Sequence, residues 1–333
     1  MSYLEIIDIK FFIIFSIIFL FNAMILKYRY EIAKNFKIID IPNKRKIHNK
    51  PTPLIGGINY FLSLLILLIY IYFNDEISLK KFVSLISIYS LFFFVGFFDD
   101  IKALSAKLRT IIILSSSILL IFFDPEFMIK NLNFKSFNLN YHLDYFSSLF
   151  TLFCIFALYN ALNFIDGYNG SAVSIILFWG IYLFIKNPDI VYLIIILISF
   201  LIFLYNLSGK IFLGNSGTSI ISIFFSLSVI NEHNNGIIYA DEILLILIFP
   251  GIDMIRVTLQ RLMNKKKIYD PDKTHFHHYL ISSGSKYVWQ IILILSLSPI
   301  ILFNFIENLI FILCLSIMIY ILIFAYIKKN ISK

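Results

Sequence analysis

The sequence predicts an all-α, polytopic integral membrane protein, and three observations carry that reading. Hydrophobic residues make up 59% of the 333-residue chain and charged residues only 14%, against roughly 25% charged in a typical soluble domain. Mean hydropathy is +0.86. The apolar residues gather in runs of about 16 to 20, close to the length that crosses a bilayer core of roughly 30 Å. Such a chain is neither a soluble enzyme, nor a disordered segment, nor a disulfide-stapled secreted domain. The net charge of +8 does not point to nucleic acid, because the basic residues sit in loops between the runs. Cys154 and Cys314 both fall inside apolar runs, without metal-type or disulfide-type spacing.

Eleven membrane helices are expected, at about 11–27, 54–73, 82–98, 108–123, 147–165, 171–186, 190–206, 211–230, 240–259, 287–305 and 308–327. The first is not a cleavable signal, since Glu5 and Asp8 precede it and no small-residue cleavage site follows. With eleven spans the loops alternate sides. One set, with the C-terminal tail, holds 22 of the 28 Lys and Arg residues. Basic loops stay in the cytoplasm, so the N-terminus is expected outside and the C-terminus inside. No internal repeat and no long linker divides the chain, so residues 1–333 read as one transmembrane domain. In the longest outer loop, NLNFKSFNLNYHL alternates apolar and polar residues. It predicts a short β-hairpin near 129–143, with Leu132 and Phe134 facing Phe137, Leu139 and Tyr141 across a Lys-Ser turn.

The polar residues are not at mid-membrane, where a transporter keeps them. They form five clusters at the predicted cytoplasmic ends of helices. The first is HNKPTPLIGG, from His48 to Gly57. Its prolines stiffen the chain and its Gly pair permits close backbone approach. The second, GFFDDIKALSAKLR from Gly96 to Arg109, puts Asp99 and Asp100 where the third helix leaves the membrane. Paired carboxylates suit a hard cation such as Mg²⁺. In the third, NALNFIDGYNG, residues Asn160, Asn163 and Asp166 share one helix face. Polar groups there are costly against lipid and must meet protein or a cavity. The fourth, KIFLGNSGTS, is a glycine-rich turn entering a helix, whose backbone N–H groups around Gly214 attract phosphate, with Ser216, Thr218 and Ser219 as added donors. The fifth runs from Asp253 to Leu280. Asp253 and Arg256 lie one turn apart, below a kink expected at Pro250, and form a mutual ion pair. Beyond them Asp272 starts a helix carrying His275, His277 and His278. Adjacent histidines without cysteine are poor zinc ligands, and an imidazole and lysine cluster for anionic phosphate is the preferred reading.

In this order the five clusters resemble the polyprenyl-phosphate N-acetylhexosamine-1-phosphate transferases, which start O-antigen, teichoic acid and capsule synthesis. The match covers roughly residues 40 to 280, and HFHH at 275–278 is similar to the H-x-H-H of the O-antigen and teichoic acid branch. The resemblance implies a Mg²⁺-dependent phosphotransferase of the bacterial plasma membrane, with Mn²⁺ as a substitute and the active site on the cytoplasmic face. Undecaprenyl phosphate would attack the β-phosphate of a UDP-N-acetylhexosamine such as UDP-GlcNAc, and UMP would leave. A route through an aspartyl intermediate is the alternative. Membrane lipid surrounds such an enzyme, and the resemblance also admits a homodimer.

By motif position, Asp99 would meet or deprotonate the lipid phosphate, with Asp100 as its partner. Asp166 and Asn163 would line the nucleotide side, Asn169 would sit by the uracil and Phe212 would stack on it. Lys50 and Lys107 would lie near the nucleotide and phosphates. His275, His277 and His278 would contact the pyrophosphate. Two departures stand out. The family's fourth motif carries an Asp, its principal Mg²⁺ ligand, where this chain has Asn215; Asn215 and Asp100 are then the expected metal residues. The third motif often carries a second Asp where this chain has Asn169. Asn215 keeps open a second class of function, a non-catalytic homologue that binds lipid phosphate or a partner.

Overall fold

The computed structural model describes residues 9–42, 48–267 and 274–331. Within them the chain is all-α apart from two small hairpin-like pairings. In chain order come α1 (Ile9–Lys27), α2 (Arg29–Phe36), β1 (Ile39–Asp40), β2 (Thr52–Pro53), α3 (Gly56–Phe73), α4 (Leu79–Ile101) and α5 (Ala106–Phe123). Then follow β3 (Asn131–Phe134), β4 (Leu139–His142), α6 (Ser147–Ile165), α7 (Ser171–Lys186), α8 (Ile190–Leu207) and α9 (Gly214–Asn234). Last are α10 (Ala240–Ile246), α11 (Ile248–Met263), α12 (Phe276–Ser282), α13 (Val288–Ile306) and α14 (Leu309–Ile331).

Among the described residues, eight helices are long and apolar enough to cross a membrane: α1, α3, α4, α5, α6, α8, α13 and α14. The chain is thus a multi-pass membrane protein. Each of the eleven apolar runs coincides with helix, but three of them fall short of that measure. Helix α7 is apolar and only 16 residues long. Helix α9 carries the polar sequence GNSGTS at its start. The run 240–259 is broken into α10 and α11 at Leu247. The expected bend at Pro250 therefore falls three residues earlier. A proline ring collides with the carbonyl four residues before it, and breaking the chain at Leu247 leaves Pro250 harmlessly in the first turn of α11. One short helix, α2, was not expected, while the expected histidine helix is present as α12.

The chain forms two compact units. The first comprises residues up to Met128 together with Ile176–Ser228. Its helices are joined by ring packing and by polar pairs inside the apolar interior. Phe61 of α3 stacks on Phe93 of α4 with centroids 4.1 Å apart. Asn22 of α1 donates to Ser63 of α3 at 2.7 Å, and Tyr60 of α3 bonds Ser199 of α8 at 2.8 Å. Without water to compete, such interhelical bonds fix helix register. Strands β1 and β2 pair antiparallel, Ile39 opposite Pro53 and Asp40 opposite Thr52. A parallel bridge then joins Leu54 to Phe212.

The second unit comprises Ile129–Ile175 and the chain from Val229 onward. Its hairpin is the predicted one, with Leu132 opposite Tyr141 and Phe134 opposite Leu139. Phe137 is not in a strand, because the turn spans Lys135 to Asn138, and Asn138 takes φ +48° to close it. Both turn amides of Lys135 and Ser136 donate to the buried carboxylate of Asp241, at the start of α10. An aromatic cluster of Phe249, Phe276, Tyr320 and Phe324 packs α11, α12 and α14 together.

Candidate functional site: two clusters built at helix ends

In the first unit, the adjacent acids Asp99 and Asp100 do different things. They diverge by about 100° around α4, so each meets its own partners. Asp99 is 8% exposed. Its Oδ1 accepts from the Leu104 N–H at 2.6 Å and its Oδ2 accepts from Arg109 Nη1 at 2.8 Å. That carboxylate closes the break between α4 and α5, which Ser105 helps begin by capping the Leu108 N–H at 3.2 Å. Arg109 was part of the second motif but carried no expected role. Ten residues and a helix break separate it from Asp99, and no periodicity signals such a pair.

Asp100 caps the start of α9. Its Oδ1 accepts from the Asn215 N–H at 2.7 Å, and its Oδ2 from the Ser216 N–H at 3.0 Å and the Ser216 hydroxyl at 2.7 Å. A helix start leaves N–H groups unpaired and carries partial positive charge, so a carboxylate from another helix serves as its N-cap. The contact needs two glycines. Gly214 takes φ +76°, and a Cβ there would lie 2.7 Å from Asp100 Oδ2. A Cβ on Gly96, one turn before Asp100, would lie 2.3 Å from the Asn215 carbonyl oxygen. These facts revise the expected anion cradle. The first amides of α9 are given to Asp100, and Ser216, Thr218 and Ser219 are buried. The Thr218 hydroxyl donates back to the Asn215 carbonyl at 3.2 Å.

Phe212 lies just before this helix start, half-buried, with its N–H on the Pro53 carbonyl at 2.9 Å. His48 sits edge-on to it, with centroids 5.0 Å apart. The His48 ring is held by Asp40 Oδ2 on one side at 2.9 Å and by the Lys50 carbonyl on the other at 2.8 Å. The carbonyl oxygens of Phe212 and Leu213 accept from the first two amides of α3, Gly56 and Gly57, both at 3.1 Å. The chain around Phe212 is therefore fixed by α3, β2 and His48 together. Lys50 and Lys107 are exposed.

The second unit gathers the third and fifth motifs. Asp166 ends α6 as its C-cap. Asn163, Asp166 and Asn169 are all half-buried, while the Asn160 amide donates to the Phe156 carbonyl of its own helix. Asp253 is the hub of the fifth motif and is 3% exposed. Its Oδ1 accepts from Arg256 Nη2 at 2.7 Å and from the Tyr320 hydroxyl at 2.8 Å. Its Oδ1 and Oδ2 lie 3.2 and 3.4 Å from the Phe276 N–H, the first amide of α12. The expected Asp253–Arg256 pair is present, and it also begins the histidine helix. Arg256 further meets Tyr320 through Nε at 2.7 Å and lies over the Phe324 ring at 4.4 Å. Tyr320 lies inside an apolar run, which sequence reading passed over.

Helix α12 starts at Phe276 with His275 as its N-cap; Asp272, the expected start, lies outside the described residues. The His275 and His277 rings are parallel with centroids 5.7 Å apart, and His277 and His278 are 4.2 Å apart. His275 also packs on Phe164 of α6 at 4.7 Å, and its Nε2 is 3.5 Å from Arg261. His277 is seated on the turn after α6, where a Cβ on Gly167 would lie 2.0 Å from its Nε2. It is 4% exposed, so its ring serves as a packing element between α12 and the Gly167 turn. Burial, with His278 and His275 beside it, pushes its imidazole down to about 3 from the ordinary 6.5. His277 is thus neutral through the physiological range.

The sign of the resulting pH effect follows directly. A base whose pKa is depressed by folding binds fewer protons than the unfolded chain, so stability falls as pH drops through 6.5 toward 3. At pH 5 this amounts to about 2 kcal/mol. Thermal unfolding of wild type and His277→Gln at pH 7 and pH 5 checks it. The wild type is expected to lose more stability between the two pH values, and equal losses would count against the burial.

Among the described residues, no group of three or more His, Cys, Asp or Glu side chains could hold a metal ion. The two residues expected at the metal meet through the Asn215 N–H on Asp100 Oδ1, and they carry one formal charge between them.

A sequence profile described as glycosyl transferase family 4 matches residues 82–232, which include Asp99, Asp100, Asp166 and Asn215. The chain is 26% identical over 286 residues to an undecaprenyl-phosphate alpha-N-acetylglucosaminyl 1-phosphate transferase of Escherichia coli strain K12, covering 80% of this chain and 75% of the relative. It is 28% identical over 264 residues to the protein of that name from Thermotoga maritima, covering 79% of each. A third such relative, from Yersinia pestis, is 27% identical over 281 residues, covering 80% and 76%. With the profile matched across both acid motifs and the relatives aligned over four-fifths of its length, the chain is similar to the proteins of glycosyl transferase family 4.

Proposed function

We propose that the protein transfers N-acetylglucosamine 1-phosphate from UDP-GlcNAc to undecaprenyl phosphate and so starts a cell-surface polysaccharide. The observation that carries this reading is the alignment, over four-fifths of the chain, with relatives named for that activity. The site chemistry supports it. An oxygen of the lipid phosphate attacks the β-phosphorus of the nucleotide sugar, the bond from that phosphorus to the bridging oxygen breaks, and UMP leaves with that oxygen. The lipid phosphate is already a nucleophile, so the protein's work is placement and charge compensation.

In the first unit, the Arg109 guanidinium, fixed by Asp99, offers a cation at a helix end for the lipid phosphate. Asp99 is the group that meets or deprotonates that phosphate once the pair exchanges. Phe212, held in place by its backbone, offers a ring for the uracil, and exposed Lys50 and Lys107 draw in the polyanions. In the second unit, Asp166, Asn163 and Asn169 serve the nucleotide, and His275 and His278 the pyrophosphate. Mg²⁺ would be held by Asp100 and the Asn215 amide oxygen, with substrate phosphates completing its shell, in keeping with its habit of taking one or two carboxylates. Bound there, it would offset the charge of the pyrophosphate. The bias of 22 of 28 basic residues toward one set of loops supports eleven spans, an outside N-terminus and a cytoplasmic site in a bacterial plasma membrane.

One observation favours a second reading, a lipid-phosphate or partner binder without turnover: Asn215 brings no charge to the metal. A single experiment separates them. Washed membranes carrying the protein receive undecaprenyl phosphate, Mg²⁺ and radiolabelled UDP-GlcNAc, with Asn215→Asp in parallel. Lipid-linked label and UMP from the wild type are expected. Label from Asn215→Asp alone would replace the transferase reading with the binding one, and no label from either with any UDP-N-acetylhexosamine would overturn the transferase reading.

A further inference from the structure

A groove of about 520 Å³ runs between α4 and α5, within the range of roughly 300–1,000 Å³ typical of small-molecule sites. Its floor is made by Ile88 and Leu120, both buried, and its rim by half-exposed Val83 and Leu119. Ser84, Ser87 and Ser116 line it, and their small side chains leave the volume that larger residues would fill. Lys80 stands at its mouth, at the start of α4. The neighbouring Lys81 is spent on Glu126 at 3.0 Å and on the Phe127 ring at 5.7 Å. Lys80 is exposed and makes no ion pair among the described residues. Along α4 the mouth lies 19 residues from Asp99, about 28 Å at the rise of an α-helix. This is the opposite end of the helix from the acid pair.

We propose that this groove binds an anionic phospholipid from the bilayer leaflet opposite the Asp99–Asp100 end, one acyl chain lying between α4 and α5 and the head-group phosphate meeting Lys80. The apolar walls suit an acyl chain, which a groove between two membrane helices meets without leaving the bilayer. The unspent ammonium selects the charged head group. The inference rests on the membrane-spanning reading of α4 and α5 and not on the transferase reading.

Native mass spectrometry of the full chain, released from detergent with dioleoylphosphatidylglycerol or dioleoylphosphatidylcholine, tests it. The wild type is expected to prefer the anionic lipid about fivefold, the worth of one lysine near a membrane surface. Lys80→Gln should abolish that preference while retaining the chain, and Lys80→Arg should restore it. Val83→Trp, which enlarges an exposed side chain into the groove, should weaken retention of both lipids. UMP release is expected to be unchanged in all three, so a failed activity assay leaves the binding result standing. Equal retention of the two lipids by the wild type would overturn the proposal, as would unchanged retention by Val83→Trp. A shift of Val83→Trp from dimer to monomer would also overturn it, and would make the face a contact between copies of the chain.

Discussion

Asp100→Ala is expected to destabilise the protein by about 3 kcal/mol, because it deprives two helix-start amides and a buried hydroxyl of their acceptor at once. The carboxylate takes the Asn215 and Ser216 amides and the Ser216 hydroxyl. Gly96 and Gly214 let the two backbones approach closely enough for this contact. Asp100→Asn keeps an amide oxygen in place and should recover part of the loss. Ser216→Ala removes one bond of the three and should cost about 1 kcal/mol. Thermal unfolding of the three purified variants gives the order, and hydrogen exchange at residues 214–219 locates it. If Asp100→Ala melts with the wild type, the carboxylate is not the cap of α9. The two roles of Asp100 then separate cleanly. A cap responds to hydrogen-bond geometry, so asparagine helps. As a metal ligand beside Asn215, Asp100 would bring the only formal charge of the two, so asparagine there does not help, and Mg²⁺ dependence of UMP release is the readout for that part.

The same residue shows what a sequence can and cannot report. The acid pair was legible because two carboxylates at the end of an apolar run have no cheap structural reason to be there. The helix itself was legible for the reason that any membrane helix is: the bilayer demands a long apolar run. What each carboxylate does was not legible. Asp99 finds Arg109 across a helix break, and Asp100 finds Asn215 at a separation of 115 residues. Local spacing carries no information about either. Helix α2 was missed for a related reason: RYEIAKNF is too short and too polar for periodicity to speak. The histidine helix was expected, but not that Asp253 accepts its first amide. The hairpin shows the limit at the level of single residues. Alternation put Leu132 and Phe134 across from Leu139 and Tyr141, but a four-residue turn in place of the expected Lys-Ser turn took Phe137 out of the strand and moved the register by two residues. Alternation cannot count the residues that a turn consumes.

The largest effect in the second unit should come from Asp253→Ala. Arg256 is anchored to Asp253 at 2.7 Å and is itself mostly buried. Removing one member of such a pair leaves an uncompensated charge, which costs about 3–5 kcal/mol. It also frees the Tyr320 hydroxyl and the first amide of α12. The loss should therefore propagate to His275, His277 and His278, whose helix loses its anchor to α11. Tyr320→Phe removes a hydroxyl that donates to Asp253 and accepts from Arg256 Nε, and should cost about 2 kcal/mol while leaving the ion pair intact. Asp253→Asn should fall between, since an amide oxygen accepts from Phe276 and Tyr320 but does not neutralise Arg256. Thermal unfolding ranks the three, and hydrogen exchange at residues 274–282 follows the helix start. UMP release should fall in the same order, because the histidines act only from a fixed helix. The order, more than any single value, is the test. If Asp253→Ala and Tyr320→Phe were equal in both stability and exchange, the hydroxyl would be the anchor of α12. The Asp253–Arg256 pair would then be an ordinary intrahelical contact one turn apart, worth a few tenths of a kcal/mol.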